Sequence, residues 1–273
     1  MEIVTVIFIL LYMLSAAGYF AYLFLQKDYL QKTGYFILLA GFFFHTVIIA
    51  SGFIKTGHFP AQNLRETLMV AGWAIAGVFL IIQYKFNLKI LGLFAAPLVV
   101  LVVIGASLLP GETIQTTNIF KNFWLISHII TIFIGEASLA LACGIGILYL
   151  MQERSIKTKV RGFFFKRLPS LELLDTTGYA CIVVGFTMIT IGLITGLVYA
   201  KSVWGRFWGW DTKEVWAGIM WLLYAALLHE RLTVGWRGRK AAIMAIVGFA
   251  VLLFTFFGVN FLLEGHHGVF TKF

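Results

Sequence analysis

Charge is what this chain most lacks. Asp, Glu, Lys and Arg make up 12% of its 273 residues, where an average soluble domain carries roughly 25%. A soluble chain of this length with so little charge would precipitate, so a water-soluble globular fold is excluded. Cysteine is nearly absent too. Cys143 and Cys181 each stand alone inside apolar runs, with no Cys-x-x-Cys anywhere. They read as small buried apolar residues, which excludes thiol redox chemistry by this chain. There is also no Ser/His/Asp triad, phosphate loop or nucleotide motif, so the chain carries no ATP-driven step of its own.

What is present is apolar sequence in long runs, 60% of the chain. The runs fall at about 3–25, 34–54, 66–83, 88–109, 124–151, 178–200, 215–231 and 241–263. Each approaches the ~20 residues that cross a ~30 Å hydrocarbon core. The predicted fold class is therefore all-α: a polytopic integral membrane protein with about eight transmembrane helices, forming a single domain over 1–273. The first run has Glu2 and no preceding Lys or Arg, so it reads as a span rather than a signal peptide.

The cations set an orientation. The loops after spans 1, 3, 5 and 7 hold 14 of the 21 Lys and Arg residues, among them Arg154, Lys157, Lys159, Arg161, Lys166 and Arg167. The positive-inside rule makes those loops cytoplasmic and both termini extracytoplasmic. A net charge of +9 can signal nucleic acid. Here the largest cluster lies between two spans, which favours a membrane surface and no nucleic-acid partner.

In that orientation residues 201–216 form an outer loop of unusual composition. In "WGRFWGWDTKEVWAGIMW" (204–221) fall five of the eight tryptophans, with Gly205 and Gly209 between them. Asp211 followed by Glu214 is a capping box, so span 7 starts near Thr212. An interfacial aromatic belt accounts for one or two indoles per helix end. It does not account for Trp204, Trp208 and Trp210 together, with glycines that let a flat object approach the backbone. The segment reads as a platform for a large, flat, apolar ligand. An internal echo accompanies it: Asn63-x-Arg65-Glu66 and then Trp73 match Asp211-x-Lys213-Glu214 and then Trp221. Two capped helices running inward from the outer face, and two related halves of four spans, are expected.

The stretch 204–229 closely resembles the tryptophan-rich WWD signature of the cytochrome c assembly proteins. "SGFIKTGHFPAQNLRETLMVAGW" (51–73) and "FFGVNFLLEGHH" (256–267) resemble the CcsA/ResC branch of System II cytochrome c biogenesis. Thr212 stands where the family usually has Pro, and "GHHG" replaces a Gly-Leu-His-Ser pattern. The resemblance implies transport of haem b, bound without a covalent link, across the membrane and its presentation outside for attachment to apocytochrome c bearing a CxxCH motif. It implies a CcsB/ResB-like membrane partner, holocytochrome c synthetase activity with that partner, and thiol-reducing proteins nearby. The membrane would be the cytoplasmic (inner) membrane, or the thylakoid membrane for a plastid protein.

Haem iron takes axial imidazoles. By the resemblance His128 and His267 match the two external ligands, with His266 as the neighbouring alternative. His229 matches a second haem site nearer the cytoplasm, whose other histidine belongs to the partner. Trp204, Trp208, Trp210 and Trp216 would form the wall, Asp211 would shape it, and Arg206 with Lys201 would meet propionates at its rim. His45 and Glu136, both mid-span, are functional suspects by depth alone, and His58 reads as a structural loop residue. The rival readings are a CcmC-like protein that hands haem to a chaperone, a HemX-like regulator, and a secondary transporter with no haem role.

Overall fold

The computed structural model describes residues 2–57, 59–110, 122–159, 162–163 and 166–258. His58, His266 and His267 lie outside them. The described residues form eight α-helices and no strand. These are α1 (Glu2–Leu25), α2 (Asp28–Thr56), α3 (Leu64–Phe86), α4 (Gly92–Leu108), α5 (Phe123–Lys157), α6 (Leu171–Trp204), α7 (Thr212–Thr233) and α8 (Arg239–Leu253). A single 3₁₀ turn, Lys89–Leu91, leads into α4, and a π turn, Phe254–Gly258, follows α8. Each expected span has its helix.

Seven of the eight are long and apolar enough to cross a bilayer, and the protein is a polytopic membrane protein. The exception is α7. Its 22 residues include Lys213, Glu214, Glu230 and Arg231, which dilute a run that is apolar only between them. Conversely α5 and α6, at 35 and 34 residues, rise about 50 Å at 1.5 Å per residue. They outreach the hydrocarbon core and carry their ends beyond it.

The helices start where the sequence supplies a cap. Asn63 accepts from Glu66 N–H, Asn122 from Trp124 N–H and Ser170 from Leu173 N–H, each satisfying a donor that the first helical turn leaves open. At the ends of α2, α3 and α6, Gly57, Asn87 and Gly205 turn the chain in the left-handed conformation.

Packing divides the bundle into similar halves. The most extensive contact is α5 against α6, and the next is α1 against α2. Both pairs approach through small residues, as membrane helices do where dispersion and close fit replace the hydrophobic effect. A Cβ on Gly135 would sit 3.0 Å from the Gly185 carbonyl, and one on Gly18 would sit 3.2 Å from the Gly34 Cα. α8 docks on α5, and α4 docks on both α1 and α3. In contrast α7 packs only lightly on α6 and α8, burying Met220, Tyr224 and Leu227.

One end of the bundle is tied by charge. Arg231 donates both guanidinium nitrogens to Asp175, at 3.0 and 2.7 Å, and Gly238 N–H adds a third bond to the same carboxylate. Glu153 accepts from Lys157 and Arg239. These groups join α5, α6, α7 and α8 at the end opposite the tryptophan loop. The crevice that they border, lined by Tyr149, Asp175, Tyr179 and Arg231, belongs to this structural clamp.

Candidate functional site

The other end carries His128 and the tryptophan loop. His128 lies in the second turn of α5 and leans on α6. Its Nδ1 sits 2.7 Å from the Gly192 carbonyl oxygen. A carbonyl only accepts, so Nδ1 carries the proton and the lone pair resides on Nε2, the tautomer of a metal-ligating imidazole. Room for the ring comes from the next glycine of the same face. A Cβ on Gly196 would stand 2.7 Å from His128 Nδ1 and 2.9 Å from its Cε1. Gly192 and Gly196 thus position the His128 ring, which the tryptophan and histidine patterns did not reveal. Their signal in the sequence is the small-x-x-x-small spacing of "GLITG".

The tryptophan loop joins α6 to α7 at this same end. Gly205, at φ 72°, turns the chain out of α6. Trp204 lies edge-on to Tyr199, its centroid 6.1 Å away. Trp208 folds back over α7, 3.7 Å from where a Gly218 Cβ would be, and edge-on to Trp210 at 6.0 Å. Its indole Nε1 is buried with no hydrogen-bond partner among the described residues. Trp216 packs edge-on against Phe254 at 4.6 Å.

Trp210 is held in a conformation that side chains avoid. Its φ is 57°, in the left-handed region that costs an ordinary residue about 1–2 kcal/mol. The result is an indole 79% exposed. Glu214 restrains the peptides on both sides: its Oε2 accepts from Gly209 N–H at 2.7 Å and from Asp211 N–H at 3.3 Å. The expected capping box is present, with Asp211 accepting from Lys213 N–H, and α7 begins at Thr212 as the motif predicts. The box therefore does more than start a helix. It fixes the strained residue that projects the outermost indole.

Cations stand at two depths. Lys201 donates to the Gly205 carbonyl at 2.8 Å and lies over the Phe207 ring. The Arg206 guanidinium folds beside Gly209, close to 3.1 Å from where a Cβ would be. Both are exposed at the loop's rim. Deeper in, Lys213 on α7 is an electrostatic neighbour of Glu136 on α5, although those helices barely touch. That electrostatic neighbour is a cation near the depth at which Glu136 lies.

His229 sits on the exposed face of α7, in line with Ile219, Leu222 and Ala226, at the clamp end and far along the helix from the tryptophan loop. His45 is fully buried. It stacks on Phe8 at 4.3 Å and 9°, its Nδ1 meets Tyr12 OH at 3.3 Å, and its Nε2 has no hydrogen-bond partner among the described residues. Among the described residues no three His, Cys, Asp or Glu side chains cluster as a metal site. The structure thus puts His128, the tryptophan loop and the ends of α6 and α8 at one end of the bundle, with His229 at the other end and His45 in a separate packing environment.

Comparison with known proteins finds clear relatives of the chain. The chain is 34% identical to cytochrome c biogenesis protein CcsA of Guillardia theta over 241 residues, 81% of this chain and 80% of that one. Its identity to CcsA of Prochlorococcus marinus strain MIT 9301 is 36% over 235 residues, covering 78% and 76%. CcsA of Mesostigma viride is 31% identical over 276 residues, covering 92% and 90%. Among solved structures, cytochrome c haem lyase CcmF shares the fold, with a TM-score of 0.64 at 14% identity over 98% of this chain. This chain spans about half of that protein's length, 48%. The family described as cytochrome C assembly protein matches residues 61–267, which takes in α3 to α8, the tryptophan loop and His128, and the chain belongs to that family.

Proposed function

We propose that this chain carries haem b through the membrane and presents it at the tryptophan-loop end for covalent attachment to apocytochrome c, working as a System II synthetase subunit with a CcsB/ResB-like partner. Family membership puts the chain in cytochrome c maturation, where it handles haem. The observation that carries the site assignment is the anchored His128 tautomer at the same bundle end as a tryptophan loop whose buried Trp208 N–H has no partner among the described residues. His128 and His267 would ligate the iron. Trp204, Trp208, Trp210 and Trp216 would cover the ring faces and edges, and Arg206 would meet a propionate at the rim.

His229 would serve a second haem nearer the cytoplasm. An imidazole on the lipid side of a membrane helix is costly unless another protein covers it, which favours a ligand shared with the partner. The tryptophan-loop end would face away from the cytoplasm, in the cytoplasmic membrane or, for a plastid protein, the thylakoid.

The chemistry is an addition. Each cysteine sulfur of the acceptor's CxxCH bonds to one vinyl carbon of haem, and the thiol hydrogen goes to the other vinyl carbon. The acceptor's histidine then replaces one of this chain's ligands. This protein supplies position, dryness and electrostatics, while haem and the acceptor supply the reacting bonds.

The test is a haem spectrum of the purified chain, with and without the partner. A low-spin, six-coordinate Soret band that His128→Ala converts to a five-coordinate or water-bound form is expected. A colourless protein with the partner present would overturn the reading and favour a transporter without haem.

A further inference from the structure

The internal echo continues below the caps. In the first half, Trp73 Nε1 on α3 donates to Thr46 Oγ1 on α2 at 2.8 Å, and Thr46 Oγ1 donates to the Phe42 carbonyl at 2.8 Å. In the second, Trp221 Nε1 on α7 donates to Thr190 Oγ1 on α6 at 2.9 Å, and Thr190 Oγ1 donates to the Phe186 carbonyl at 2.8 Å. The ring contacts repeat as well. Phe42 stacks on Trp73 at 5.6 Å and 15°, and Phe186 on Trp221 at 5.4 Å and 30°. Each latch leaves no polar atom unpaired along the chain indole N–H, hydroxyl, carbonyl, as a lipid environment requires.

The two latches differ in what depends on them. α3 is held by ten buried residues and packs against α2, α4 and α5. Removing one hydrogen bond leaves it where it is. α7 buries three residues, so the Trp221–Thr190 bond is its principal polar tie to α6 within the apolar run. On α6, Thr190 lies two residues from Gly192, whose carbonyl holds His128. One turn of α6 therefore sets both the imidazole, through Gly192, and the helix that starts at the tryptophan loop, through Thr190.

We propose that Trp221, acting through Thr190, is a positioning residue for the outer haem site: it sets the height and rotation of the tryptophan loop relative to His128. Trp73 and Thr46 make the same bond where no ligand site depends on it. This proposal rests on the haem reading above. Trp221 touches neither iron nor porphyrin in it, and its effect passes through α7.

The two latches provide their own control. The full chain, purified in detergent and titrated with haem b, is compared as wild type, Trp221→Phe, Thr190→Val, Thr190→Ser, Trp73→Phe and Thr46→Val. Phenylalanine keeps the stack and removes only the N–H donor. Valine removes the same bond from the other side, so one variant suffices should the other fail to fold. Trp221→Phe and Thr190→Val should shift the Soret maximum and the midpoint potential and weaken haem retention roughly fivefold, the fold-change of one neutral hydrogen bond. Thr190→Ser should restore the wild-type spectrum. Trp73→Phe and Thr46→Val should lower thermal stability and leave spectrum and potential unchanged. Unchanged spectra in both α6–α7 variants, or equal shifts from both latches, would overturn the positioning role while the haem reading stands. A wild type with no Soret band would instead remove the haem reading, and this proposal with it.

Discussion

Glu214→Ala is the sharpest perturbation of the tryptophan loop, because one carboxylate oxygen restrains the peptides on both sides of Trp210. The substitution removes a charge-assisted bond of 2.7 Å to Gly209 N–H and a longer one of 3.3 Å to Asp211 N–H. A bond to a charged group contributes about 1.5–3 kcal/mol. Loss of an anion from the first helical turn adds about 0.3–1 kcal/mol. The left-handed Trp210, at φ 57°, stores about 1–2 kcal/mol that the released loop relieves by moving. The loop is thus destabilised by about 2–3 kcal/mol locally, while the helices below it keep their packing. Since ~1.4 kcal/mol is tenfold, amide exchange over residues 205–214 should accelerate roughly 30- to 100-fold, with α5 and α6 unaffected.

The companion variant separates strain from function. Trp210→Gly places at this φ the residue that adopts it at no steric cost, so exchange in the loop should slow or hold steady. Haem retention should nevertheless fall, because the most exposed indole of the platform is gone. A Glu214→Ala protein whose 205–214 amides exchange at the wild-type rate would refute the clamp. A Trp210→Gly protein that retains haem normally would show that the strained indole serves only the membrane interface.

Three further outcomes follow from other parts of the molecule. Gly196→Ala should displace the His128 ring, since the new Cβ would lie 2.7 Å from Nδ1, and shift the Soret band; Gly105→Ala, with nothing within 4 Å, should leave it unchanged and stabilise α4 by about 0.5–1 kcal/mol. Asp175→Ala strands the Arg231 guanidinium, whose side chain is 9% exposed, and should destabilise the α7–α8 connection by about 3 kcal/mol, read as faster proteolysis after Thr233; wild-type protease resistance would count against the clamp. A cysteine probe at Gly205 should label in intact cells and one at Lys159 should not, and the reverse pattern would invert the orientation read from Lys and Arg.

The fold was legible because its signals are long. Runs of about 20 apolar residues overdetermine a membrane helix, and Asn63 and Asp211 announced the starts of α3 and α7 through their caps. The tryptophan loop was legible by composition, and His128 through its place in a matching motif. Contacts that depend on helix rotation were not. Nothing in "GLITG" says that the carbonyl of its first glycine will meet an imidazole from α5. Nor does Glu136 name Lys213, because the two lie on helices that barely touch. His45, suspect by depth alone, packs on Phe8 and bonds Tyr12 through Nδ1, and its buried Nε2 has no hydrogen-bond partner among the described residues.

The two halves show how one architecture yields one projecting loop. Both have a capped inward helix, a glutamate reaching back to loop amides, and a Trp–Thr–Phe latch. Between latch and cap, however, the second half is four residues longer: Thr46 precedes Asn63 by 17 positions and Thr190 precedes Asp211 by 21. Four residues are about one helical turn, and α6 uses added length to carry Gly205 and the loop farther from the latch. In the first half the shorter connection keeps Phe59 and Gln62 buried, at 8% and 4% exposure, while Trp204 and Trp210 stand out at 43% and 79%. Deleting one turn from α6 above Thr195 should therefore draw the tryptophan loop down onto the bundle. Its indoles should become protected from oxidation by N-bromosuccinimide, and haem binding should be lost while the Thr190–Trp221 latch and the fold persist. Indoles that stay fully reactive in that deletion would show that loop sequence, and not the extra turn, holds the site open.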